Sequence, residues 1–227
     1  MKAILAVALA VIFAAPALAL DRAELDNRII LLTAKFDAMQ RNPARSIPPE
    51  TLRKAKGIIL LDRTKAGFVF AYQGGSGVAM VRDDSTGGWS PVVFLTANEA
   101  SLGFQVGGQQ SFIVILLMNT NATQSLTEPK FQFGGEARGT AGNSTAGVEG
   151  NAVPEEPSVL VFDSRTGLFG GAAIKGGSVA PDTKANCIYY GQAITTSEIL
   201  LDHKVKPTEP ASALAKKIVE DAQPARK

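Results

Sequence analysis

Seven basic side chains fall within residues 41–65: Arg41, Arg45, Arg53, Lys54, Lys56, Arg63 and Lys65, against only Glu50 and Asp62. The chemistry open to such a run is electrostatic. Guanidinium and ammonium groups hold phosphate and carboxylate oxygens, Arg as a planar fork and Lys as a point charge. Near an anionic bilayer each such cation contributes about 1 kcal/mol. Arg53, Lys54, Lys56, Arg63 and Lys65 are therefore the candidate headgroup-binding set. Just before them, Leu25, Ile29, Leu32, Phe36 and Met39 step by four, three, four and three, which draws one apolar stripe on a helix. Leu25, Ile29, Leu32 and Phe36 are the candidate apolar half of the same surface. Two plainer readings stand beside this one: a solvated helix face with snorkelling stems, and a stripe that docks on the body of the protein.

Other chemistries are thinly supplied. The chain has one His, His203, and one Cys, Cys187. Zinc sites of the usual ligand sets cannot be built from that pair. A Ser-His-Asp triad would have to use His203, which sits in the charged stretch Asp202-His203-Lys204, and no Gly-x-Ser-x-Gly elbow accompanies it. Neither Gly-x-Gly-x-x-Gly nor a Walker Gly-Lys-Ser/Thr occurs. The expectation is no catalytic residue, no metal, no cofactor and no enzyme. Nucleic acid is not an expected partner, because the formal net charge is only +2 and no basic-aromatic motif is present. Cys187 has no second Cys to pair with, and its neighbours Ile188, Tyr189 and Tyr190 suggest a buried structural thiol.

The elements that must position these residues follow from composition. All 22 glycines lie from Gly57 to Gly191. Glycine weakens helices, and β-branched and aromatic residues favour strands, so the centre reads as sheet and the flanks as helix. Residues 1–19 open with Lys2, run apolar from 3 to 15 and end in Ala17-Leu18-Ala19, the pattern of a cleaved secretory signal peptide, with an uncleaved anchor as the alternative. Residues 20–56 form the N-terminal helices of the same domain: one over 21–40, and a shorter one over 46–56 opened by Pro48-Pro49 and closed by Gly57 in a left-handed cap. Residues 57–191 form the β body. Residues 192–227 carry a last helix with Leu214, Ile218 and Val219, then a loose tail from Pro224.

Within the body, strands are expected at 58–61, 68–72, 78–82, 89–96, 104–106, 112–118, 131–133, 158–163, 168–174 and 186–194. Gly74-Gly75-Ser76-Gly77 is expected to turn the chain, and residues 112–118, apolar throughout, to be a fully buried strand. Residues 136–157 are rich in Gly, Ala and Thr and read as a loop or a weak strand. The fold class is α+β: an antiparallel, barrel-like or sandwich-like body of about nine strands with flanking helices at both ends.

A series of short motifs in fixed order carries a resemblance. Ala55-Lys56-Gly57-Ile58, Lys65-Ala66-Gly67-Phe68, Gly74-Gly75-Ser76-Gly77-Val78 with Arg82, Gly88-Trp89-Ser90-Pro91, Gly103-Phe104-Gln105-Val106-Gly107, Phe133-Gly134, Gly167-Leu168-Phe169-Gly170-Gly171, and Asn186 with Tyr189-Tyr190-Gly191 resemble the SYLF domain family. The likeness runs from about residue 48 to 214, and the chain departs from it at Gly142-Asn143, where Gly-Pro is common. It implies a lipid-binding module, with phosphoinositide or other phospholipid binding, and fungal members described as actin-binding. Lys56 and Lys65 are the matched residues able to reach a headgroup phosphate, and Trp89 reads as an anchor of the core or its rim.

Together these readings give an exported lipid-binding protein. It associates with anionic phospholipid or a membrane surface through the basic N-terminal patch and an apolar helix or β-body surface. The periplasm is the expected destination, with the extracellular medium as the other. Actin is not expected as a partner of an exported bacterial chain. The alternative is an envelope structural or protein-interaction domain with an envelope protein partner and no catalysis.

Overall fold

The computed structural model describes residues 20–67, 71–83, 86–101, 107–133, 157–164, 167–169 and 177–223, without the side chains of 64–67, 71–73, 98–101, 107–110 and 167–169. The expected leader at 1–19, the strand at 104–106, the segment 136–156 and the tail from Pro224 lie outside the described residues.

Helix α1 spans Arg22–Gln40. Asp21 caps it, its carboxylate accepting the Glu24 amide at 2.8 Å, and Glu24 sits in the first turn where the helix dipole favours an acid. Helix α2, Pro49–Lys54, uses its opening proline as the sequence suggests. It is shorter than expected, and Gly57 does not cap it. Ala55 already has extended backbone (ψ 132°), and Gly57 begins strand β1. A Cβ at Gly57 would lie 3.0 Å from both Leu117 and Thr123 side chains, so this glycine serves close packing.

Strands β1 (Gly57–Gly67), β2 (Ala71–Val81) and β3 (Val93–Ser101) form an antiparallel meander. Strand β4, Gly107–Leu117, pairs along the other side of β1, Gly57 opposite Leu117 and Gly67 opposite Gly107. Strands β5 (Phe131–Phe133), β6 (Val159–Asp163), β7 (Gly167–Phe169) and β8 (Gly177–Pro181) complete an eight-stranded order β5-β8-β3-β2-β1-β4-β6-β7. All the described pairings are antiparallel. The architecture is α+β, a barrel-like sheet with helices from both ends of the chain.

Gly74 to Gly77 do not turn the chain; they lie inside β2. A Cβ on Gly75 would sit 2.7 Å from the Asp62 carbonyl oxygen, and one on Gly77 2.4 Å from that of Leu60. The glycines thus let β2 ride closer to β1 than any side chain allows. Trp89 is not in a strand: it makes an isolated bridge with Arg82, and β3 starts at Val93.

The strand expected over 186–194 is a helix. Helix α4 covers Thr183–Tyr190, capped by Asp182 and closed by Gly191 at φ 68°. The two capping residues decide it over the β preference of Ile188, Tyr189 and Tyr190. Asn186, buried on α4, accepts the Phe94 amide at 2.8 Å and donates to the Phe94 carbonyl at 3.2 Å, so a side-chain amide satisfies backbone groups of β3. Three further helices have starts marked by local residues, two of them by side-chain caps. Asn119 caps α3 (Thr120–Gln124), Thr195 and Glu198 form a capping box on α5 (Thr196–Leu200), and Pro210 opens α6 (Glu209–Asp221).

Both faces of the sheet are buried. Even-numbered residues of β1 and β4 (Ile58, Leu60, Val114, Leu116) pack under α1, α4 and α6. Odd-numbered ones (Ile59, Leu61, Ile113, Ile115) face a second core with Phe131, Phe133, Val179, Ile199 and Leu200. That is why residues 112–118 read as one apolar run.

Candidate functional site

The five candidate headgroup cations do not form one patch. Strand β1 is extended from Gly57 to Gly67, so Lys56 and Arg63 stand about 23 Å apart at about 3.3 Å per residue. Arg53 is ion-paired with Glu50, one turn earlier on α2. Lys54 is exposed, and Lys56 is half-buried, its amide donating to the Leu117 carbonyl at 2.8 Å and its carbonyl accepting from Arg82 at 2.7 Å. Arg63 is only 5% exposed, and its guanidinium lies 5.9 Å from the centre of the Phe133 ring on the inner face of the sheet. It cannot meet a surface headgroup from there. The side chain of Lys65 lies outside the described residues.

The apolar half of the proposed surface is also placed elsewhere. Leu25, Ile29, Leu32 and Phe36 are at most 2% exposed and sit in the core with Leu214 and Ile218 of α6. Each such side chain contributes about 1.5–3 kcal/mol by burial. Turning the whole stripe outward would forfeit more than a few cations at about 1 kcal/mol each could return. The stripe therefore holds α1 down and is not a lipid contact.

A different face of α1 is free. Ile30 and Leu31 are 53% and 62% exposed, and Ala23, Asn27, Ala34 and Ala38 are exposed beside them. These six residues share one stripe about half a turn from the buried one, on the opposite side of the helix. The sequence carries a signal for it: four consecutive apolar residues, Ile29 to Leu32, cannot all point to the same side of a helix.

Cations and acids border this face. Arg28 approaches Glu24 at 4.0 Å and lies over the Phe94 ring. Arg41 pairs with Asp37, and Lys217 of α6 bonds Asp37 at 2.7 Å and Asp221 at 2.9 Å. The Lys217 ammonium holds the Asp37 carboxyl below the ordinary carboxylate range, and Asp37 in turn raises Lys217. Lys35 pairs with Asp62 of β1. Where α1 leaves the sheet, a groove of about 330 Å³ opens between Lys35, Ala38, Met39, Asn42 and Arg45 on one side and Asp62, Ser111, Phe112 and Ser164 on the other. Arg45 is exposed.

Among the described residues, no group of three His, Cys, Asp or Glu side chains could hold a metal ion. His203, at φ 51°, is exposed with Nε2 3.7 Å from an Asp83 carboxylate oxygen. Cys187 is partly exposed, not buried as expected. Trp89 lies in the rim of the helix-side core with the Arg82 guanidinium 5.2 Å from its ring centre. Burial raises the Tyr189 hydroxyl to about 12, and it ties α1 to the approach to α6 by donating to Asp26 at 2.8 Å and pairing with Thr208. No helix among the described residues is long and apolar enough to cross a membrane.

An exposed apolar stripe, flanking charges and a groove are thus gathered along one helix. Residues 98–220 match the family model described as "Ysc84: Las17-binding protein actin regulator", and the chain belongs to that family, in agreement with its SYLF likeness. It is 30% identical over 173 residues to SH3 domain-containing YSC84-like protein 1 of Xenopus laevis, covering 75% of this chain and 51% of the relative. Protein YSC84 of Saccharomyces cerevisiae is 30% identical over 173 residues, with 74% and 36% covered. LAS seventeen-binding protein 3 of the same yeast is 29% identical over 166 residues, with 71% and 36% covered. The chain thus spans about half or less of the length of these relatives. No solved structure matches. The family description and the yeast names overturn the expectation that set actin aside as a partner.

Proposed function

We propose that this chain is a docking module without catalysis that attaches to an anionic phospholipid surface through the outer face of α1 and the cations beside it. The observation that carries this is the exposure of Ile30 and Leu31 on a helix otherwise pinned by five buried residues. Two large apolar side chains held outward on a rigid base can enter the headgroup boundary without any unfolding. Arg41, the C-cap of that helix, and Arg45 just beyond it are both exposed, where they can meet phosphate. Residues 1–19 support delivery by export, to the periplasm or beyond; mass spectrometry of the purified protein should then give a chain starting at Leu20.

Co-sedimentation tests the surface. Vesicles with 30% phosphatidylglycerol should pellet the protein at low salt and release it as ionic strength rises. Vesicles of phosphatidylcholine alone should not pellet it. Failure to pellet on anionic vesicles at low salt overturns the reading.

The family description favours a second reading, a protein-docking role within actin regulation. Pelleting with filamentous actin in the absence of lipid would favour it, and its absence alongside vesicle binding would leave the lipid surface as the function.

A further inference from the structure

The groove at the end of α1 joins the exposed stripe, because Ala38 belongs to both. Its floor is apolar, formed by Met39 and Phe112, which are 3% and 5% exposed. Its rim carries Lys35, Arg45 and Asp62, two cations against one acid. Arg45 makes no ion pair among the described residues. The Lys35–Asp62 pair keeps both partners more than a third exposed, so it is the kind of surface pair that contributes little and yields readily to a competing ligand.

We propose that this groove binds a phosphodiester whose alcohol carries hydrogen-bond donors. The phosphate bridges Lys35 and Arg45, the ligand's carbon chain lies over Met39 and Phe112, and Asp62, released from Lys35, accepts from the alcohol part. A carboxylate can only accept, so Asp62 favours ethanolamine or glycerol, which donate, over choline, whose quaternary nitrogen has no N–H. A volume of about 330 Å³ accommodates such a headgroup. Attachment of that phosphodiester to a lipid rests on the membrane-docking reading above; the groove's chemistry does not.

Titration of ¹⁵N-labelled protein with the soluble butyl phosphodiesters of ethanolamine and choline, which differ in N–H donors and carry no glycerol hydroxyl, tests the groove apart from any bilayer. Amide shifts at Lys35, Asn42, Arg45 and Asp62 with at least a fivefold preference for the ethanolamine compound are expected. Arg45→Glu should abolish binding of both compounds, and Asp62→Asn should remove the preference while leaving binding. Arg45 is exposed, so the fold should survive; Arg45→Ala serves as a second variant, and unchanged amide dispersion checks both. Binding without the preference, or binding undiminished in both Arg45 variants, overturns the proposal. Vesicles then identify the source. If the soluble compound binds but phosphatidylglycerol vesicles do not pellet the protein, the ligand is a free phosphodiester, and the docking reading fails while the groove stands. If vesicles pellet wild type and Arg45→Glu equally and the soluble compounds cause no shifts, the groove fails while the docking reading stands.

Discussion

Helix α1 carries two apolar faces with opposite fates. Leu25, Ile29, Leu32, Phe36 and Met39 are sealed against the sheet and α6, while Ile30 and Leu31, interleaved among them in sequence, point to solvent. The residue types are the same, and only the direction around the helix differs. Apolar spacing therefore locates a helix and says that it has a face; which face is working surface depends on what the rest of the chain covers.

The largest effect should come from the sealed face. Phe36→Ala removes a fully buried ring and should cost about 3–5 kcal/mol in urea unfolding. A cost below about 1 kcal/mol would mean that the two faces do not differ as described. Next comes the open face. Ile30→Asp with Leu31→Asp should change stability by no more than about 0.5 kcal/mol yet weaken vesicle binding at least tenfold, about 1.4 kcal/mol. A protein that melts early and still binds would invert the comparison.

The clamp between α1 and α6 should give a smaller effect. Lys217→Met should lower stability at neutral pH by about 1 kcal/mol or less, since such pairs remain in contact with water. It should also flatten the acid limb. The Asp37 pKa is depressed in the folded state, so its contribution is present above the unfolded value near 3.8 and is lost as pH falls through the lower folded value. Melting temperature followed from pH 5 to 2 should drop less steeply in Lys217→Met than in wild type. The smallest effect is expected at Arg53. Its partner is the neighbouring Glu50, and Arg53→Ala should alter both stability and vesicle affinity by less than about 0.5 kcal/mol. A large loss of affinity there would restore α2 as part of the surface.

Much of the scaffold was legible in the sequence. The 3.6-residue period of α1, the unbroken apolar run of β4 and the Pro-led starts of α2 and α6 each depend on local chemistry. What was not legible depends on distant residues. The polar end of β1 gives no local sign that the strand continues to Gly67; its pairing with β4 fixes that, and it splits the cation cluster. Arg63 is buried because Phe133 faces it and Gly177 leaves room: a Cβ there would lie 3.1 Å from the guanidinium. The glycines of β2 looked like a turn because glycine marks both turns and close approaches, and only the neighbouring backbone distinguishes them. Asp182 and Gly191 did bracket α4 in the sequence, but the aromatic residues between them favoured a strand. The groove joins α1, β1, β4 and the turn after β6, which no single stretch of sequence reveals.

The packing of α6 against α1 also sets an order of events in biosynthesis. Ala211, Leu214 and Ile218 lie in the same core as Leu25 and Phe36, yet they follow them by well over 150 residues. While the chain is being made, the inner stripe of α1 stays partly bare until α6 has emerged from the ribosome. β1 must likewise wait for β4, some 40 to 60 residues later, before its second edge is satisfied. A chain closed by such distant pairings folds slowly and late.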